Sequence, residues 1–199
     1  MTTAKDLFMI AMDGENSVGQ GDLSLALAGA ELIDLIGEGA VALDGDHIVP
    51  GGPPPRDDRL LGEAAAGLIR QAPYERVEDW LWRRGRDLSA AYQAALEESD
   101  ELAPRRSSRL SFGSESLKPV DTPARRRAAD RWKEKEPVLT VLAAVVGIDD
   151  DRPDEEAGLD DEAVTDVLAA VHDAVMELEA VRQRRTIENA AFANVWRVP

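Results

Sequence analysis

Apolar residues recur at helical spacing along most of this chain, and residues that favour helix ends divide the pattern into segments. Aspartate, threonine and proline stand where helices begin, and glycine stands where several of them end. The pattern predicts eight helices: Thr3–Met12, Asp22–Ile36, one from Asp57 or Asp58 to Gln71, Val77–Gly85, one from Leu88 to Leu96 or Leu102, a basic one that begins at Thr122-Pro123, Pro137–Gly147, and Val164–Val181.

The segment Asp22–Ile36 has the most apolar pattern of the eight. Asp22 is a favourable N-cap, and Ser24, Glu31 and Asp34 are the main polar positions that follow it. At 100° per residue these three side chains fall on one narrow strip of the helix. We therefore expect the central helix of the core here, with solvent reaching it along that strip.

A period of two replaces the helical period at two places. Residues 40–49 form two short extended runs around Asp44-Gly45, a pair typical of a type I′ turn, which needs positive φ at both central residues. Residues 109–118 predict a second, looser hairpin or a projecting loop. The fold class is therefore mainly α: a single compact helical domain over residues 1–199, with about eight helices and one or two short β-hairpins, one of them protruding.

Composition narrows the chemistry. The chain has no cysteine and two histidines far apart in sequence, which disfavours disulfides, zinc sites and Cys/His or Ser/His catalysis. The N-terminal apolar run is too short for a signal peptide, and no stretch of about 20 uncharged apolar residues predicts a membrane span. We therefore predict a cytoplasmic protein without a metal or cofactor.

Charge limits the partners. The net charge of −16 opposes general attraction to nucleic acid or anionic lipid, so any such contact has to be local. Between Arg105 and Lys135 there are ten Lys/Arg against four Asp/Glu, whereas Asp149–Glu162 holds nine acids and one arginine. We interpret the acidic run as a solvated linker, because it lacks the glycine that a calcium loop has at its sixth position.

Two alternative functions stay open. The helix Asp22–Ile36 followed by a hairpin resembles a winged-helix nucleic-acid regulator, although the helix offers Ser24, Glu31 and Asp34 where a DNA reader presents cationic or amide side chains. An enzyme with an unfamiliar carboxylate site is the third class. The glycines of the sequence do not have the spacing of a nucleotide-binding motif, so we do not expect a nucleotide site.

Two segments have the composition of a contact surface. Trp82 stands beside Arg83, Arg84 and Arg86, which suits a lipid headgroup or another anion if the tryptophan is exposed and not packed against another helix. The second segment is the loop 109–118. Its apolar side chains, Leu110, Phe112 and Leu117, suit shallow membrane insertion or contact with a second copy, unless they fold back onto the core. Arg109 and Lys118 are basic residues that flank them.

The order of several motifs resembles the Golgi phosphoprotein 3 family. An early Asp-Leu-Phe-Met-Ile-Ala-Met-Asp helix is followed by Leu27–Leu35 and a small-residue hairpin. Residues 60–64, the segment Val77–Leu81, a hydrophobic loop and a short buried helix complete the likeness. The resemblance implies a mainly helical domain with a protruding β-hairpin, no enzyme activity, and peripheral attachment at the inner face of the membrane through phosphatidylinositol 4-phosphate.

The lipid site of that family is where this sequence departs from it. The family's tryptophan corresponds to a position near Gly19 and its first arginine to Ala28. Of its second basic pair, Arg86 lies close to one position and Ser89 replaces the other. We therefore expect a bacterial-type adaptor with weak affinity for phosphatidylinositol 4-phosphate. Its candidate partners are an anionic membrane or phosphoinositide-like headgroup and a second copy of the chain, bound through the 109–118 loop. Nucleic acid is not a favoured partner.

Overall fold

The structure, a computed structural model, describes residues 2–14, 18–53, 58–104, 117–148 and 161–195. Within these ranges 67% of the residues are helical. The helices are α1 Thr3–Asp13, α2 Gln20–Gly37, α3 Arg59–Ala66, α4 Val77–Arg84, α5 Leu88–Glu98, α6 Pro123–Lys133, α7 Pro137–Val145 and α8 Glu162–Val195. The strands are β1 Val41–Asp44, β2 His47–Pro50, β3 Leu102–Pro104 and β4 Leu117–Pro119, paired antiparallel as β1-β2 and β3-β4. The predicted fold class is confirmed.

Helix α2 is the central helix, as its apolar pattern predicts, and it packs against α1, α4, α5 and α8. The predicted N-cap is wrong: Gly19 is the N-cap, and Asp22 lies in the first turn, where its carboxylate pairs with Arg182 of α8 at 2.6 Å. The prediction that solvent reaches α2 along the strip of Ser24, Glu31 and Asp34 is also wrong. Ser24 and Glu31 are buried, and each has a hydrogen-bond partner on another helix, as buried polar groups generally do.

Asp34, the third residue of that strip, holds α1 in place. Its carboxylate oxygens accept hydrogen bonds from the backbone N–H groups of Thr3 and Ala4 at 3.0 and 3.3 Å. These are the unpaired donors at the start of α1, so a side chain from α2 caps another helix. Asp6 of α1 is buried and pairs with Arg131 of α6 at 2.5 Å. This ion pair holds α6 against α1.

A glycine allows α2 and α8 to lie close together. A Cβ at Gly29 would be 2.2 Å from Cγ2 of Val171, a fully buried residue of α8. Only a residue without a side chain fits at that distance. The small residues Ala28 and Ala30 on either side of Gly29 are likewise fully buried.

The first hairpin is confirmed, but its turn differs by one residue. Asp44 pairs with His47, so the two central residues are Gly45 and Asp46, and only Gly45 has positive φ. Glycine at the first central position with positive φ is typical of a type II′ turn. The hairpin also bonds to the segment before α4, since the N–H of Ile48 donates to the carbonyl of Glu75 at 2.8 Å.

Three boundaries need correction. Helix α3 ends at Ala66 and does not reach Gln71, because Gly67 caps it. Leu102 belongs to β3 and not to α5, which stops at Glu98. Helix α8 runs on to Val195, well past the predicted Val181. The predicted starts of α6 and α7 are confirmed; Thr122 caps α6 with a proline at its first position.

Candidate functional site

The link between α4 and α5 brings two of the predicted contact residues to one groove. Helix α4 stops where Gly85 follows, and a Cβ at Gly85 would meet the carbonyl oxygen of Leu81 at 2.5 Å, so no side chain fits there. Asp87 then takes a φ of 58° and starts α5. This turn leaves Trp82 and Arg86 exposed, and both side chains border the groove.

The groove is open and has a volume of about 540 Å³. The first turn of α2 contributes Gln20 and Gly21, the first turn of α5 contributes Ser89 and Ala90, and α8 contributes Leu178. Two helix N-termini therefore face one groove, and neither donates a backbone hydrogen bond to the side chain of its own N-cap residue, Gly19 or Asp87. Backbone N–H groups and the positive end of the helix dipole favour an anion at such a place.

Two serines form the floor of the groove and join α2 to α5. The hydroxyl of Ser24 donates to Ser89 Oγ at 2.9 Å, and the backbone N–H of Ser89 donates to Ser24 Oγ at 3.0 Å. The hydroxyl of Ser89 donates in turn to the carbonyl of Gln20 at 3.3 Å. These bonds fix the spacing of the two N-termini, because both hydroxyl groups are buried and satisfied.

Arg83 and Arg84 are engaged by carboxylates of this chain. Arg83 makes two hydrogen bonds to Glu75, at 2.6 and 2.7 Å, and its guanidinium lies 5.2 Å from the ring centroid of the buried Trp80. Arg84 makes two hydrogen bonds to Glu31, at 2.7 and 2.9 Å. Burial raises the pKa of Glu31, and the bonds from Arg84 act in the opposite direction. Both guanidinium groups thus hold the fold together.

Arg86 differs from its neighbours. It is exposed and has no ion pair within the described part of the chain. Trp82 is 36% exposed, so about a third of this residue is open to solvent at the groove. Of the two acids nearest the groove, Asp87 lies on its rim, and Asp22 is neutralised by Arg182.

The positions that we aligned with the family's lipid-binding residues do not form a lipid pocket of that kind. Gly19 is the N-cap of α2, and a Cβ there would lie 2.3 Å from Asp22 Oδ2. Ala28 is fully buried, and its carbonyl accepts a hydrogen bond from Trp80 Nε1 at 3.1 Å. Arg86 and Ser89 both line the groove, with Ser89 at its floor.

The second predicted contact, the loop 109–118, falls mostly outside the described residues. Arg109, Leu110 and Phe112 lie in that part of the chain. Leu117 and Lys118 belong to β4, whose pairing with β3 supports the predicted hairpin, and Lys118 is exposed. Nothing described brings this loop next to the groove.

The buried carboxylates have structural partners. Asp6, Glu31 and Asp34 are held by Arg131, by Arg84 and by the start of α1, respectively. Over the described ranges no cluster of three or more His, Asp or Glu side chains has the arrangement of a metal site. The winged-helix alternative needs an exposed recognition helix, whereas α2 is enclosed by its neighbours, and we do not retain it.

Sequence reasoning found Trp82 and Arg86 but missed the groove between them. Its walls come from residues far apart in the chain, such as Gln20, Arg86 and Leu178. The available signals were the glycines Gly19 and Gly21 at the start of α2 and the serine Ser89 after α4, and none of these points to the others in sequence.

Comparison with known proteins gives one family match. The sequence model of the family described as Golgi phosphoprotein 3 (GPP34) matches residues 4–188. A search of curated proteins finds no match. No helix in the described ranges combines the length and the apolar character that crossing a bilayer requires.

Proposed function

The chain belongs to the Golgi phosphoprotein 3 family, and we propose that it is a non-catalytic adaptor that attaches peripherally to anionic membranes. The proposed attachment site is the groove between α2, the α4–α5 link and α5. The observation that carries the proposal is the exposed Arg86, which has no ion pair in the described part of the chain and lies with the exposed Trp82 on a groove that two helix N-termini face.

Three features of the groove favour an anionic lipid headgroup, and the carboxylate of Asp87 on its rim opposes one. An unpaired guanidinium gives an anionic phosphate a charged donor without first losing an internal partner. A partly exposed tryptophan suits the membrane interface, since its ring is apolar and its N–H can donate to the polar headgroup region. The N-terminus of α2 adds backbone donors, and the positive dipole end of α5 favours negative charge although the N–H of Ser89 is already bonded to Ser24.

The ligand is an anionic headgroup without strong selection for phosphatidylinositol 4-phosphate. Gly19 supplies no stacking ring, and the side chain of Ala28 is enclosed in the core. A single arginine near a negatively charged surface contributes about 1 kcal/mol, which is roughly fivefold in affinity. The net charge of −16 opposes attachment, so we expect weak and salt-sensitive binding.

The loop 109–118 is the second proposed contact, with Leu110, Phe112 and Leu117 as its apolar residues and Arg109 and Lys118 as basic flanks. Three apolar side chains contribute at most about 5 kcal/mol before the costs of ordering and association. The loop therefore adds to a weak attachment, either to the membrane or to a second copy of the chain.

Vesicle flotation tests the groove. Wild-type protein and the variants Trp82→Ala and Arg86→Ala are floated with phosphatidylcholine vesicles, with and without phosphatidylserine or phosphatidylinositol 4-phosphate. Both variants should lose several-fold in binding to either anionic vesicle. The control is Arg59→Ala, which removes the same charge beside Glu98 at the opposite end of α5 and should bind like the wild type.

Three results would overturn parts of the proposal. Equal losses in Arg59→Ala and Arg86→Ala would show that net charge and not the groove governs binding. Strong selective binding to phosphatidylinositol 4-phosphate would contradict the transfer of the family's lipid residues onto Gly19 and Ala28. A triple Ser replacement of Leu110, Phe112 and Leu117 that unfolds the protein would place those side chains in the core.

A further inference from the structure

Helix α8 extends well past the body of the molecule. Among the described side chains, the last ion pair from α8 to the rest of the domain joins Arg182 to Asp22, and the helix then continues for 13 residues to Val195, about 20 Å at 1.5 Å per residue. We call residues 183–195 the α8 arm. Every described side chain of the arm, from Gln183 to Asn189, is exposed, and Ile187 is 69% exposed.

The arm and the rest of α8 carry opposite charges. Residues 161–179 contain six acids and no lysine or arginine. The arm carries Arg184 and Arg185 near its start, neither of which has an ion pair among the described residues, and one acid, Glu188. A helix that is acidic in one half and basic in the next is complementary to a reversed copy of itself.

An acidic groove of about 420 Å³ runs along the outer face of α8. The helix side of the groove has a floor of alanines between carboxylates: Asp166, Ala169, Ala170, Asp173, Ala174 and Glu177. The facing side is the turn of the first hairpin with the start of α4, where Arg76 is already paired with Asp46 at 2.6 Å. Small side chains leave room for a helix to approach, and the carboxylates favour a basic one.

The groove and the basic end of the arm lie on the same face of α8. At 100° per residue, Arg184 and Ile187 fall within about 60° of the line through Asp166, Asp173 and Glu177. A twofold-symmetric pair requires this arrangement, because each copy must offer the same surface to the other.

We propose that two copies of the chain pair through antiparallel α8 helices, with the arm of each copy lying over the acidic groove of the other. Exposed Ala180 lies nearest the twofold axis, so that residue 180 + n of one copy faces residue 180 − n of its partner. In this register Arg184 faces the 56% exposed Met176 and so lies between Asp173 and Glu177, while Ile187 faces Asp173, about one helical turn from Met176. The dimer is reversible and salt-sensitive, because few apolar side chains join many charges.

Cysteine cross-linking tests the register, since the chain has no cysteine of its own. Ala180→Cys should form a disulfide-linked dimer under mild oxidation. Glu188→Cys is the matched control on the same exposed helix: antiparallel pairing puts the two copies of residue 188 about 24 Å apart along the axis, whereas parallel pairing would bring them together. Cross-linking of both variants or of neither overturns the proposal.

Charge reversal tests the contact itself. Sedimentation velocity of Arg184→Glu should show dimerisation weakened roughly tenfold, because three acids then meet. The double variant R184E/E177R should recover it, since each copy again supplies one charge of each sign at that position. A wild-type monomer at every concentration, or a double variant no better than the single one, shows that the arm serves another partner and overturns the proposal.

Discussion

Replacing Gly29 with alanine tests the closest approach of α2 to α8. The new Cβ would lie 2.2 Å from Val171 Cγ2, 3.6 Å from Val171 Cβ and 3.7 Å from Leu81 Cδ2. Since carbon atoms in contact ordinarily lie about 3.5–4.0 Å apart, only one methyl group is in conflict. Val171 has no exposed surface, so that methyl group cannot turn into solvent.

The expected magnitudes follow from opposing effects. Alanine in place of a helical glycine gains about 1 kcal/mol, and overpacking a core costs about 1–3 kcal/mol, so Gly29→Ala should be neutral to about 2 kcal/mol destabilising. Val171→Ala alone loses about 1.5 kcal/mol for two buried methyl groups and more for the cavity. In the double variant the conflict disappears and the new methyl group fills part of the space.

We therefore expect the double variant to be at least about 1 kcal/mol more stable than the sum of the two single effects predicts. Urea unfolding followed by far-UV circular dichroism on the four proteins measures this coupling, and the slopes should agree among them. Gly37→Ala is the control in the same helix, because a Cβ at Gly37 meets nothing within 4 Å. Coupling near zero for Gly29 would refute the close packing of α2 on α8.

Two further predictions concern buried charges. Burial raises the pKa of Asp34 to about 6 from 3.8, so the folded protein holds this proton more tightly than the unfolded chain. Relative to Asp34→Asn, the wild type should gain about 2 kcal/mol between about pH 7.5 and 4.5; a difference in urea unfolding that does not change with pH would contradict the burial of the Asp34 carboxyl. Arg84→Ala should cost about 3–5 kcal/mol because it leaves Glu31, which has no exposed surface, without its charged partner. Arg83→Ala should cost less, because the guanidinium of Arg83 is 44% exposed and solvent screens its pair with the buried Glu75. Adding Glu31→Gln to Arg84→Ala should recover part of the loss, and equal costs for the two single variants would argue against the burial of Glu31.

The proposed attachment and the proposed dimer use different surfaces of the molecule. The membrane groove depends on Trp82 and Arg86, while the dimer depends on Arg184 and the outer face of α8. Arg86→Ala should therefore leave sedimentation unchanged, and Arg184→Glu is not expected to abolish the preference for anionic over neutral vesicles. The two hypotheses can fail independently.

Local patterns in the sequence were enough to predict most of the elements. The near absence of polar positions in α2 predicted a central helix, because such a segment is stable only when it is enclosed. Thr122-Pro123 predicted the start of α6, since a side-chain cap and a preset φ act within one turn. The turn at Gly45 was located for the same reason, although its type was not.

The polar residues of α2 show where sequence reasoning stops. Ser24, Glu31 and Asp34 were predicted to face solvent because helical periodicity reports which side of a helix is polar and not what covers it. Their partners Ser89, Arg84 and Thr3 lie about 30 to 65 positions away in the chain. The groove depends on the same kind of long-range contact, because packing brings the ends of separate helices together whereas the pattern along each helix describes only that helix.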